Sequence, residues 1–112
     1  EMPRFPGCED LSTENEKKVC ALRALGDYIE HHPKYNEVNS RLGSEATFMA
    51  EFIVRRNGTV ENVRLARSVS DNPEIYNAVI DLVKDMPTWT PGKQQGKAVD
   101  VQLTIPVRFG PQ

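Results

Sequence analysis

Ala46-Thr47-Phe48-Met49-Ala50-Glu51-Phe52-Ile53-Val54-Arg55-Arg56-Asn57-Gly58-Thr59-Val60-Glu61-Asn62-Val63-Arg64-Leu65 is the stretch that decides the fold. Ala46, Phe48, Ala50, Phe52 and Val54 fall on one side of an extended chain, and Thr47, Met49, Glu51, Ile53 and Arg55 on the other. A period of two marks a half-buried strand. Asn57-Gly58 follows, a pair suited to a type I′ turn, which needs positive φ at both central residues. The return strand runs from Thr59 to about Ser68. Val63 and Leu65 share a face, but Val60 is out of phase with them. A bulge near Glu61 or Asn62 repairs the phase; otherwise Val60 faces the far side.

Downstream, Asp71 or Asn72 caps a helix with Pro73 in its first turn and Glu74 near its positive end. Ile75, Ala78, Val79, Leu82, Val83 and Met86 form one apolar face, and Pro87 stops the helix. Thr88 to Lys97 reads as a loop broken by Pro91-Gly92 and Gly96. Val99, Val101, Leu103, Ile105, Val107 and Phe109 then alternate with Asp100, Gln102, Thr104, Pro106 and Arg108, a long strand with one buried face. Pro106 cannot donate to a ladder, so one side of this strand is an edge.

Upstream, Pro3, Pro6 and Gly7 leave residues 1–13 irregular. Thr13 and Glu16 fit a capping box for a helix from Glu14 to about His32. Among its apolar residues (Val19, Ala21, Leu22, Leu25, Tyr28, Ile29), the trio Leu22, Leu25 and Ile29 makes a helical stripe. Pro33 ends the helix. A short helical turn is expected from Tyr35 to Leu42, stopped by Gly43.

The order α-α-β-β-α-β in 112 residues implies a single α+β domain, 1–112, with a lead-in and helix over 1–34 and a core over 35–109. The hairpin runs up and down, the helix crosses back, and the last strand runs parallel to the second. Right-handed crossover then places the last strand beside the first. The expectation is a three-stranded antiparallel sheet, order 2-1-3, with helices on one face and the last strand an exposed edge.

Composition narrows the function. Hydrophobic residues are 38% and charged residues 27%, an ordinary globular balance. No run of about 18 apolar residues exists to span a membrane. A net charge of −2 argues against non-specific nucleic-acid binding. The opening Glu1-Met2-Pro3 looks like the interior of a longer protein, so targeting or anchoring segments are expected upstream. No catalytic template is met: Ser68 and Ser70 lie in a different element from His31 and His32, and Glu51 with Glu61 read as solvated surface acids. Arg55, Arg56, Arg64 and Arg67 read as solubilising charges. Trp89 reads as a plug at the end of the core. No cofactor and no metal is expected.

Cys8 and Cys20 admit three readings: two buried thiols, a disulfide clamping the polar segment between them, or a zinc site shared with His31 and His32. Adjacent histidines on a helix point about 100° apart and do not easily share one metal. The feature with most physical content is the edge. A long, alternating, unpaired strand is an aggregation hazard unless it is covered or used to recruit an extended peptide.

Several stretches resemble the TonB C-terminal domain family. They are Asn57-Gly58-Thr59-Val60-Glu61-Asn62-Val63, the block Met86-Pro87-Thr88-Trp89-Thr90-Pro91-Gly92-Lys93-Gln94-Gln95-Gly96-Lys97-Ala98-Val99, and the ending Thr104-Ile105-Pro106-Val107-Arg108-Phe109. The opening Met2-Pro3-Arg4-Phe5-Pro6-Gly7-Cys8-Glu9 is similar to the lead-in of one branch. Tyr35-Asn36 stands where the family often has Tyr-Pro, and the helix carrying Cys20 is longer than usual. The resemblance covers about His32 to Phe109 and makes Asn57, Gly58, Trp89, Pro91 and Gly92 its structural markers.

The resemblance implies the periplasmic domain of an inner-membrane-anchored energy transducer in a Gram-negative bacterium. Its partners would be TonB-dependent outer-membrane receptors and, through a segment upstream, inner-membrane proton-channel proteins. By matching position, the peptide box of a receptor would pair with Val99, Val101, Gln102, Leu103, Thr104, Ile105, Val107 and Arg108. The same edge could pair two copies into a homodimer. The implied compartment is oxidising, which favours a Cys8–Cys20 disulfide. The rival function is a similar interaction module fused to another membrane protein, such as a sensor or peptidase.

Overall fold

The computed structural model describes residues 2–42, 46–67 and 73–109. Along the chain lie α1 (Glu14–His31), α2 (Pro33–Leu42), β1 (Ala46–Val54), β2 (Val60–Arg67), α3 (Pro73–Lys84), β3 (Gly92–Gln94), β4 (Lys97–Val99) and β5 (Val101–Phe109). The expected caps Asp71 and Asn72, the stop at Gly43, and Ser68 and Ser70 fall outside the described residues.

The period-two residues of β1 make it the middle strand of a three-stranded sheet, order β2-β1-β5. Both neighbours are antiparallel to it, as expected for a hairpin followed by a helical crossover. Phe48, Ala50 and Val54 are fully buried and Phe52 nearly so. The pairing with β5 is unbroken from Ala46 opposite Phe109 to Val54 opposite Val101. On the other side a bulge restores the phase of β2: Glu51 faces Arg64 but Ile53 faces Glu61, and the extra residue Asn62 has φ 56°. Val60 thereby packs against the core.

The hairpin turn differs from the expectation. Arg55 N–H bonds Thr59 O at 2.9 Å and Gly58 N–H bonds Arg55 O at 2.7 Å, closing a three-residue loop. Only Gly58 within it has positive φ, 88°. This is a type I turn followed by a left-handed residue, not a type I′ turn. The side chain of Asn57 explains the choice: its Oδ1 accepts Thr59 N–H at 3.1 Å and the Thr59 hydroxyl at 2.8 Å. That local bond holds Asn57 outside the left-handed region.

The helices follow the sequence with three shifts. Thr13 caps α1, accepting Glu16 N–H at 3.1 Å. The buried face of α1 is Ala21, Leu25 and Ile29, spaced i, i+4, i+8; Leu22, expected in the stripe, is 61% exposed because it sits one position round the helix. Pro33 does end α1, since His32 is extended at ψ 139°, but it also opens α2 two residues before Tyr35. Proline suits a first helical position, where an N–H would lack a partner anyway. In α3, Ile75, Ala78, Val79, Leu82 and Val83 are buried. Met86 is also buried but lies past the helix end, where its N–H bonds Val83 O at 3.2 Å.

The segment read as a plain loop holds a second hairpin, β3-β4, with Gly92 opposite Val99. Gln95 (φ 53°) and Gly96 (φ 80°) are consecutive left-handed residues and form the type I′ turn. The long strand is therefore divided. Val99 belongs to β4, and β5 begins at Val101. Between them the Asp100 carboxylate accepts Arg56 N–H at 2.7 Å and an Arg55 N–H at 3.3 Å, which fixes the bend to the first hairpin.

The amino-terminal segment is tied to this frame. Arg4 and Thr90 exchange two backbone bonds of 3.0 and 2.9 Å, Phe5 is buried, and Cys8 is joined to Cys20. Trp89 is buried where the layers meet, its ring 5.5 Å from Phe52 and 5.7 Å from Phe5.

Candidate peptide-binding edge

In an antiparallel ladder each residue turns its N–H and C=O to the same side. Arg55 N–H reaches back to Thr59, on the β2 side, so the odd-numbered residues of β1 serve β2 and its even-numbered residues serve β5. Their partners on β5 are Val101, Leu103, Ile105, Val107 and Phe109. Gln102, Thr104 and Arg108 therefore turn their backbone groups to the open side. Pro106 shares that parity, which is why a proline fits inside an otherwise regular strand: its nitrogen faces no partner in the sheet. Among the described residues no strand pairs with this open side.

Side chains alternate across the other axis. Gln102, Thr104 and Arg108 are exposed on the outer face, while Leu103 and Ile105 are half-buried on the inner face and Val107 and Phe109 are buried. On the outer face Arg64 and Arg55 are ion-paired rather than collected into a patch. Arg64 holds Glu51 at 2.7 Å, and Arg55 holds Glu61 at 2.8 Å. The Asp100 carboxyl sits below its ordinary range, chiefly because Arg56 N–H donates to it.

The marker residues of the sequence come together behind the edge. Trp89 N–H donates to Gly58 O at 2.8 Å, so the Trp loop is pinned to the first hairpin. A Cβ on Gly58 would lie 2.3 Å from Trp89 O, a distance only glycine permits. Pro91 is half-buried and Gly92 is buried at the start of β3. Thus Gly58 and Trp89 join the first hairpin to the Trp loop, with Asn57 exposed at the hairpin turn and Pro91 and Gly92 leading into β3. Of the residues expected to carry the peptide, Val99 lies outside the edge strand; Val101, Gln102, Leu103, Thr104, Ile105, Val107 and Arg108 all lie on it.

The structure adds an apolar groove of about 360 Å³ on the inner side of the edge. Its walls include Leu103 and Ile105 from β5, Leu22 and Leu25 from α1, Phe5 and Trp89. Sequence reasoning missed it because its walls come from distant segments; the available signal was a leucine off the core stripe of α1. The amino-terminal wall is held by the disulfide, with Cα atoms 5.9 Å apart, and by Glu9, which accepts Gly7 N–H and Cys8 N–H. The Thr90 hydroxyl also donates to Glu9, and that bond is the main reason its carboxyl lies below the ordinary range. With the thiols bonded to each other, His31 and His32 have other roles. His31 Nδ1 meets Asp27 O at 2.7 Å. His32 Nδ1 accepts Lys34 N–H at 3.0 Å at the start of α2, which leaves Nε2 to donate to Asp85 at 3.0 Å. Among the described residues no cluster of three or more His, Cys, Asp or Glu could hold a metal, and no helix is long and apolar enough to cross a membrane.

The structure is an α+β domain whose β2-β1-β5 sheet leaves one side of its terminal strand open. The family model described as the Gram-negative bacterial TonB protein C-terminal domain matches residues 31–111, and the chain belongs to that family. It is a family of periplasmic protein-interaction domains associated with energy transduction and transport, not of enzymes. Searches of curated proteins and of solved structures returned no match.

Proposed function

We propose that the domain captures the peptide box of a TonB-dependent outer-membrane transporter by adding it as a fourth strand along β5, and passes on force that drives nutrient uptake. In this reading an inner-membrane anchor and proton-channel partners act through a segment of the full protein outside this chain. The observation that carries it is the row of outward backbone groups at Gln102, Thr104 and Arg108, interrupted only where Pro106 lacks a donor. An added strand would satisfy them, with main-chain bonds supplying affinity.

The test is Thr104→Pro. Pro106 is already accommodated at the same parity, so this substitution removes one outward donor while leaving the β1·β5 ladder intact. A transporter-box peptide should bind about ten-fold or more weakly, from one lost bond plus a blocked register. Thr104→Val, which keeps the backbone donor, should bind within about two-fold, because the side chain points away from the ladder. Undiminished binding by the folded Thr104→Pro variant would refute strand addition at β5. Self-pairing through the same edge would appear as dimers that the peptide dissociates.

A further inference from the structure

We infer that the groove between α1 and β5 is a specificity pocket that takes bulky aliphatic side chains from alternate positions of the captured strand. The inference rests on strand addition along β5 and gives that ligand a chemistry. Leu103 and Ile105 belong to both features: their backbone forms part of the edge strand, and their side chains form one wall of the groove. A strand laid beside β5 follows its pleat, so every second ligand side chain emerges on the face of Leu103 and Ile105. Directly opposed side chains across a strand pair stand roughly 4.5–5.5 Å apart at Cβ, which delivers these side chains to the mouth of the groove.

The opposite wall explains two exposures that folding alone does not. Leu22 is 61% exposed and Met2 is 63% exposed, yet both line this same groove. Neither serves the core, whose α1 face is Ala21, Leu25 and Ile29. A concave apolar site of about 360 Å³ is within the size of small-ligand clefts, roughly 300–1,000 Å³. Its lining is mostly apolar, with Arg4, Glu14 and Lys18 as the charged residues along it, so it favours an aliphatic side chain over a polar one. Backbone pairing alone reads no sequence; this groove is where the ligand's side chains are distinguished.

The probes are capped eight-residue peptides alternating threonine with one guest residue, Ala, Val or Leu, titrated against the intact chain. Trp89 is the single tryptophan and lines the groove, so its fluorescence reports filling while amide NMR reports pairing at β5. The Leu-guest peptide should bind about ten-fold or more tightly than the Ala-guest peptide. Leu22→Asp should erase that preference without unfolding the domain, because Leu22 is on the surface. If Thr104→Pro abolishes binding but the Leu preference is absent, or survives Leu22→Asp, the pocket is refuted and strand addition stands. If the Leu-guest peptide binds Thr104→Pro as well as the parent, or produces no β5 shifts at all, strand addition fails and the pocket fails with it.

Discussion

Gly58→Ala should destabilise the domain by about 1–4.5 kcal/mol, and the value can be built from three terms. The first is conformational. Gly58 sits at φ 88°, and an L-residue in left-handed space costs roughly 1–2 kcal/mol. The second acts on the unfolded chain, where alanine has less freedom to lose, and returns about 0.4–1 kcal/mol. The third is steric. The new Cβ would stand 2.3 Å from Trp89 O and 2.6 Å from Thr88 Cγ2, so the Trp loop must retreat. Retreat strains or breaks the Trp89 N–H bond to Gly58 O, and a stranded buried donor costs about 1–3 kcal/mol. Gly96→Ala is the internal control. It has a similar φ of 80° but nothing within 4 Å of its Cβ, so it carries only the first two terms and should cost about 0–1.5 kcal/mol. Urea unfolding followed by circular dichroism measures both. Equal losses for the two variants would refute the claim that the hairpin and the Trp loop are held by close backbone contact.

Trp89→Ala should cost about 3–5 kcal/mol in the same assay, since the ring is buried against Phe5 and Phe52; a loss under about 1 kcal/mol would place it outside the core. Replacing Cys8 and Cys20 together by alanine should cost about 3 kcal/mol in the loop-closure model, and alkylation of the untreated protein followed by mass spectrometry should label neither thiol. Gly26→Ala should raise stability by roughly 0.5–1 kcal/mol, because Gly26 lies inside α1 with open space where a Cβ would go. The Tyr28 phenol is pushed up to about 12, first by burial and then by Asp85. The folded state thus holds this proton more tightly than the unfolded chain, so stability should be full below pH 10 and fall as pH rises toward 12. Tyr28→Phe should lack this alkaline decline, at the cost of about 1 kcal/mol for the bond to Leu82 O.

The sheet and α3 were legible because each is governed by a local period that burial then rewards. Alternation in residues 46–54 allowed one buried face, and the single crossover helix left one place for the last strand. Val60 being out of phase pointed to a bulge near Glu61 or Asn62 or to a Val60 on the far side, and the structure has the bulge, at Asn62. The misreadings share a different cause. At Asn57-Gly58 a side-chain bond to Thr59 and the contact with Trp89 chose the turn, and neither is visible in a dipeptide preference. The β3-β4 hairpin has three-residue strands and turns through Gln95, a residue that seldom marks such a turn. Val99 keeps the alternation of β5, but Asp100 bonds to Arg55 and Arg56 across the molecule and divides the strand there. Leu22 could be listed as apolar but not aimed, since a helix with several apolar residues fits more than one stripe. The edge could be inferred from Pro106 and topology; the groove beside it required the disulfide-tied segment and α1 to be placed in space.

The Cys8–Cys20 crosslink also sets how the chain answers tension. A pull at Met2 first meets the two bonds between Arg4 and Thr90, which lie at the margin and can peel one after the other, and then the anchored ring of Phe5. Beyond that the load crosses from Cys8 to Cys20 through a covalent bond and bypasses the residues between. At about 3.4 Å per extended residue, less the 5.9 Å already spanned, the 12-residue separation withholds roughly 35 Å of slack from the pulled end. Thr13 and the first turn of α1 sit inside that bypassed loop, so the cap stays unloaded. Tension enters the helix only at Cys20, one residue before Ala21 opens the buried face. Under oxidising conditions the domain behaves as a short, stiff link; reduction would turn the same segment into a spring that pays out before the sheet bears any load.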